Sequence, residues 1–127
     1  MQNETQIFPP KEVAMELKRV GFDWGCIAWY SLYDRLHLIA KERLITNSEF
    51  ILDEICSAPT YDQVIGWFAE VHGIHILNIT DNGTEYGWGI LQKGQDLNSD
   101  YITSDVFTDR QQSLLTAFRD AIKLIEK

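Results

Sequence analysis

Apolar residues recur along the chain at two spacings, one near 3.6 and one near 2, and the switches between them outline the fold. Pro9-Pro10 opens the run Lys11 to Val20, in which Val13, Leu17 and Val20 fall at i, i+4 and i+7 on one helical face. Gly21 supplies the stop, and Lys18 and Arg19 occupy the last turn, where cations complement the helix dipole. From Phe22 to Ala40 the pattern changes to strand formers, Cys26-Ile27-Ala28-Trp29-Tyr30 and Arg35-Leu36-His37-Leu38-Ile39, around a polar Tyr33-Asp34; this predicts a β-hairpin. Lys41 to Ser57 is irregular: Phe50-Ile51-Leu52 and Ile55 fit a short strand or a helical turn, and Thr46-Asn47-Ser48 reads as a loop.

Thr60 followed by Gln63 has capping-box spacing, and Val64, Phe68 and Val71, flanked by Ile65 and Trp67, form an amphipathic stripe that Gly73 ends. The spacing predicts a helix over Tyr61 to His72. Ile74 to Ile79 is a strand candidate, Asp81-Asn82-Gly83 a strong hairpin signal, and Thr84 to Gln92 the return strand, with Tyr86, Trp88 and Ile90 on one face. Tyr101-Ile102 and Val106-Phe107 suggest a further short strand. Thr108 and Gln111 repeat the capping-box spacing before a stripe of Leu114/Leu115, Phe118, Ala121/Ile122 and Ile125.

The order is α-β-β-(irregular)-α-β-β-(β)-α. It predicts an α+β fold with an antiparallel sheet of about four to five strands packed by three helices. At 127 residues a single domain is expected over residues 1–127, with residues 1–8 as a flexible lead. A helix ending in glycine and followed by a hairpin occurs twice, a recurrence that needs no common ancestry.

Composition adds exclusions. Hydrophobic content of 45% with 12% aromatics places the chain far from disordered polypeptides. No apolar run reaches the roughly 20 residues that span a bilayer, and the first residues lack a basic start and apolar stretch, so a cytoplasmic protein without membrane contact is expected. The formal net charge is −8, and from Leu44 to Gln92 there are seven acidic residues and no Lys or Arg. Such a span repels a phosphate backbone and welcomes a basic protein, so nucleic-acid binding is not expected. The helix-strand-strand-strand-helix order after Thr60 is that of a double-stranded-RNA-binding domain, but Thr108-Asp109-Arg110-Gln111-Gln112 lacks the cations that would grip phosphates there.

Candidate chemistry is sparse. Cys26 and Cys56 read as buried free thiols, since no oxyanion loop, nucleophile elbow or basic cluster flanks either. A zinc site from Cys56, His72, His75 and Asp81 lacks the tight local ligand pairs such sites use, because Gly73 separates the two histidines at a corner. No metal, cofactor or catalytic residue is assigned. The acidic pairs Asp53/Glu54 and Asp62/Glu70 follow from abundance, and Asp62 suits a first helical turn. Gly87-Trp88-Gly89 lies inside a strand and lacks the helix N-terminus of a phosphate loop. The aromatics stand out: Trp29, Tyr30, Tyr33, Trp67, Tyr86, Trp88 and Tyr101 either fill the helix–sheet core, the commoner use, or line a binding face.

Two stretches together carry a resemblance. Glu12 to Asp23 (EVAMELKRVGFD) with Cys26-Ile27-Ala28-Trp29-Tyr30, then Ala58 to Phe68 (APTYDQVIGWF), resemble small uncharacterised proteins abundant in Bacteroides-type genomes and their prophages. In those proteins a LKxxGF(D)xxCxAYY element precedes APTYxQVxxWFRExxGI, and a last helix closes the chain. Here Ala69-Glu70-Val71-His72 replaces a more basic turn. The resemblance implies provenance in a phage or mobile element, and it carries no functional residues.

The reading that follows is a non-enzymatic accessory protein whose acidic surface binds a basic host or phage protein. The candidate interaction or pocket residues are Trp29, Tyr30, Trp67, His72, His75, Tyr86 and Trp88. The alternative is a small-ligand binder or hydrolase with a pocket near Cys56, His72 and His75. A homodimer joined at sheet edges is the third reading.

Overall fold

The computed structural model describes residues 7–39, 44–81, 85–92, 102–103 and 107–126. Among them the fold is α+β, with three α-helices and antiparallel strands, in the order α1 (Lys11–Arg19), β1 (Ala28–Tyr30), β2 (Leu36–Leu38), a 3-10 turn (Asn47–Glu49), β3 (Cys56–Ser57), α2 (Tyr61–His72), β4 (Ile74–Asp81), β5 (Glu85–Gln92), β6 (Ile102–Thr103) and α3 (Arg110–Ile125). The strands form two three-stranded sheets, β2-β1-β3 and β4-β5-β6, where one sheet of four to five was expected. Alternation marks a strand but not its neighbour, and pairing is decided by contacts distant in sequence. The chain divides into two compact units, residues 1–63 and 64–127.

In the first unit α1 begins where the Pro10 carbonyl accepts from the Val13 and Ala14 amides at 3.0 and 3.1 Å. Proline suits this start because its φ is preset and its missing N–H would be an orphan. Val13, Ala14 and Leu17 are buried, as the stripe predicts, while Val20 is half-buried. The helix closes in a Schellman arrangement, with Phe22 N–H donating to the Leu17 carbonyl and Gly21 N–H to that of Lys18. Gly21 takes φ +101, a conformation that a side chain would strain.

The expected hairpin forms with three-residue strands, paired from Ala28↔Leu38 to Tyr30↔Leu36. Its loop is a turn closed by Asp34 N–H on the Ser31 carbonyl, followed by Asp34 itself at φ +62. Upstream, Cys26 is bridged to Ile45 instead of extending β1. Ala28 and Tyr30 join Phe8, Ala14, Cys56 and Ala58 in a core that Met15 and Leu36 flank. Phe8, assigned to the lead by its position, is only 4% exposed. The Tyr30 hydroxyl donates to the Pro9 carbonyl at 2.6 Å, which fixes the chain entering α1.

The irregular segment becomes legible residue by residue; Lys41, Glu42 and Arg43 lie outside the described residues. Thr46-Asn47-Ser48, read as loop, starts a 3-10 turn with its own capping box, in which Thr46 N–H donates to the Glu49 carboxylate at 2.7 Å. Phe50-Ile51-Leu52 is neither the short strand nor the helical turn expected: Phe50 is extended, and Ile51 and Leu52 form a bend.

In the second unit β4 and β5 pair without interruption from Ile74↔Gln92 to Asp81↔Glu85. The turn expected at Asn82-Gly83 lies outside the described residues, as do Thr84, Tyr101 and Val106. Phe107 forms a two-bond bridge with Tyr86, both bonds 2.7 Å. Ile74, Ile76, Trp88 and Ile90 are buried, and α3 packs on β5 and β4 through Leu114, Ala117, Phe118, Ala121 and Ile122.

Local expectations are corrected at the cap of α3 and at the inward face of α2. The cap of α3 is Asp109, whose carboxylate accepts from Gln111 N–H at 2.9 Å, and not Thr108. An anion at a helix N-terminus gains from the dipole what a hydroxyl cannot. Val71 remains 53% exposed whereas Trp67, placed on the flank, is buried. An indole removes far more apolar surface from water than a valine, so it governs which side of α2 turns inward. The Thr60–Gln63 box is present as predicted, with Gln63 N–H on the Thr60 hydroxyl at 3.2 Å and Thr60 N–H on the Gln63 amide oxygen at 3.1 Å.

Candidate functional site

The candidate aromatics divide by which way each strand or helix position faces. Tyr30, Trp67 and Trp88 point into the packed interior. Trp29, one residue from Tyr30, faces the opposite side of the first sheet, because successive strand residues alternate. There it stacks on His37 with ring centres 4.5 Å apart, and Phe50 leans on it at 5.9 Å. Tyr86 is half-buried, and Tyr33 stands 86% exposed at the hairpin tip. Among the described candidates Tyr30, Trp67 and Trp88 thus serve packing, while Trp29, Tyr33 and Tyr86 keep surface open to water.

His72 sets its ring edge-on against Trp67 at 4.8 Å, and its Nε2 is buried with no hydrogen-bond partner among the described residues. His75, on β4, is exposed. Both border a shallow cavity of about 450 Å³ with Ala69, Glu70, Val71 and Gly73; Cys56 is not in its lining. Among the described residues no three His, Cys, Asp or Glu side chains are grouped to hold a metal ion. Nor is any helix there long and apolar enough to cross a membrane.

Cys26 and Cys56 are free and fully buried in the first unit. Burial pushes the Cys26 thiol up to about 11, with the Ser57 side chain working against it. Burial likewise raises Cys56 to about 11, opposed by the charges of Lys11 and Lys18 and reinforced by Cys26. A thiol held this far from ionisation is a poor nucleophile. Unfolding would return both toward the ordinary value of 9.0. Their contribution to stability is therefore complete below pH about 9 and is lost as pH rises towards about 11. Urea midpoints of the wild type should fall across that window, and those of a Cys26→Ala/Cys56→Ala variant should fall less. Parallel profiles would contradict the assignment.

Two features that the sequence pattern did not mark lie in the first unit. One is the loop after the 3-10 turn. Lys18 sends its ammonium into it and donates to the carbonyls of Ile55 at 2.6 Å, Leu52 at 3.2 Å and Asp53 at 3.4 Å. A single cation thus gathers three backbone dipoles that would otherwise repel one another. Phe50 anchors the near end against Trp29, and between the anchors Ile51 is 97% exposed, with Leu52 beside it. Glu49, Asp53 and Glu54 flank them in sequence, all exposed. The sequence pattern gives Lys18 only the role of complementing the helix dipole; its loop partners lie 34 to 37 residues away, beyond any local signal.

The other is a groove of about 600 Å³ that α1, the hairpin and Glu54 enclose. The three cations of α1 all have partners within the chain: Lys11 with Asp34, Lys18 with the loop, Arg19 with Glu16.

Comparison with known proteins finds no match: no family model, no curated protein and no solved structure aligns with this chain.

Proposed function

We propose that the protein is a non-enzymatic accessory factor of a phage or mobile element, acting in the cytoplasm by binding a basic protein through an acidic surface of its first unit. The observation that carries this reading is the loop Glu49 to Glu54, which holds Ile51 almost wholly in water with the exposed acids Glu49, Asp53 and Glu54 in the same six residues. Exposing an isoleucine costs apolar burial, and here Lys18 keeps the exposing conformation ordered. An exposed aliphatic side chain beside charges suits a protein interface: the apolar group gains by burial, and the charges select the partner and speed the encounter. With no Lys or Arg between Leu44 and Gln92, the selected partner is basic.

Affinity capture from Bacteroides lysates, with and without phage infection, tests this when wild type and variants are run side by side. A genuine partner should be basic, be retained by the wild type, and be lost at least about tenfold with Ile51→Ser, the penalty expected of an interface hot spot. Ile51 and the acids lie on the surface, and glutamine at position 49 keeps the oxygen that accepts from the Thr46 N–H, so the variants fold. Proteins captured equally by wild type, Ile51→Ser and a Glu49→Gln/Asp53→Gln/Glu54→Gln variant would end the proposal.

A further inference from the structure

The groove of the first unit has a floor of Phe8, Met15, Tyr30 and Leu36. Its rim carries Glu12 and Glu54, both exposed. Lys11 and Asp34 also reach the rim, but they neutralise one another at 2.8 Å, and Lys11 donates in addition to the Ser31 carbonyl at 2.7 Å. Among the described residues the rim therefore presents two carboxylates to an incoming group and no uncommitted cation. At about 600 Å³ the groove is of the size that takes small ligands and short peptide segments.

From this combination we infer that the groove binds a short peptide segment in which apolar side chains are flanked by Arg or Lys. The apolar side chains cover the floor, which removes from water the exposed parts of Met15 and Leu36. The flanking cations meet Glu12 of α1 and Glu54 of the loop before β3. An acidic segment would meet like charge at both positions, and a purely basic one would leave the floor wet.

The walls are fixed before any ligand arrives. Tyr30 ties β1 to the chain entering α1 through its bond to the Pro9 carbonyl. Lys11 ties α1 to the hairpin loop, and Asp34 holds that loop at its left-handed corner. A groove already formed spares the ordering cost that weakens binding of small ligands.

This inference rests on the interaction reading for the basic character of the partner and shares Glu54 with its loop, but it does not use Ile51, so Ile51→Ser and Glu12→Gln let the two fail separately. The test is an NMR titration of the full chain with the acetylated, amidated tetrapeptide Arg-Leu-Phe-Arg, beside Glu-Leu-Phe-Glu and Arg-Ser-Ser-Arg as controls. Arg-Leu-Phe-Arg should shift the Met15 methyl, the Leu36 methyls and the Tyr30 ring, and should bind an Ile51→Ser variant as well as it binds wild type. Glu12→Gln and Glu54→Gln should each weaken it about two- to fivefold, as loss of one exposed ion pair does. Met15→Trp, which fills the groove from a half-exposed position, should abolish the Leu36 shifts. The inference is overturned if Arg-Leu-Phe-Arg leaves these signals unmoved, or if either control binds equally well. Loss of peptide binding by Ile51→Ser would assign the peptide to the loop, overturning the groove while sparing the interaction reading.

Discussion

Replacing Asn47 by alanine should destabilise the protein by about 2–5 kcal/mol, the cost of stranding two buried backbone groups at once. Asn47 is 6% exposed, and its amide spans two segments: Nδ2 donates to the Phe22 carbonyl at 2.6 Å, and Oδ1 accepts from Ser57 N–H at 2.8 Å. Phe22 follows α1 and Ser57 lies on β3, so one side chain joins the end of the first helix to the edge of the first sheet. Against a total stability of roughly 5–15 kcal/mol for a domain, the loss is large. Urea denaturation should show a lower midpoint with an unchanged slope, because the truncation alters stability and not the surface exposed on unfolding. Asn47→Asp should be at least as costly at neutral pH, since a carboxylate can accept from Ser57 but cannot donate to Phe22. Part of that loss should return in acid, where the protonated group regains a donor. A midpoint for Asn47→Ala within error of wild type would show that water can reach and satisfy both groups.

Phe118→Ala should cost about 3–5 kcal/mol, the range for removing a buried aromatic ring. Phe118 is fully buried at the centre of the α3 stripe, and its ring meets that of Phe68 at 6.1 Å. The lost contacts are those with Phe68 and with its other neighbours on that side of α3. Phe118→Leu should cost less than about 1.5 kcal/mol, because most of the volume is kept. The two variants separate a void from a mere change of shape, and both are read by the same urea titration. Equal losses would mean that the ring's edge geometry, and not its volume, holds α3 in place.

Residues that only hold the protein together can thus be told from those with nothing to hold. Asn47 and Phe118 are buried and partnered, so their removal should be felt as stability. Ile51 is exposed, and Glu12 and Glu54 stand in water, so their removal should be felt only in binding. Cys56, His72 and His75 look like chemistry in a sequence because their types recur in active sites. Burial suppresses ionisation of the Cys56 thiol, and the His72 ring is engaged with Trp67.

The elements themselves were readable because their causes are local. Proline before Lys11, glycine after Val20 and His72, the Thr60–Gln63 box and the 3.6-residue stripes act within one or two turns, and each produced the predicted helix. Even the corrected cap of α3 is a local competition, won by the neighbouring aspartate. The tertiary structure alone decided which strands share a sheet, which side of α2 faces inward, and that Phe8 leaves the lead for the core. It also alone decided that Lys18 organises a loop more than thirty residues away and that Asn47 bridges two segments. These are contacts between residues distant along the chain. Periodicity tells a residue which way to face, and only closure of the chain supplies the neighbour that it faces.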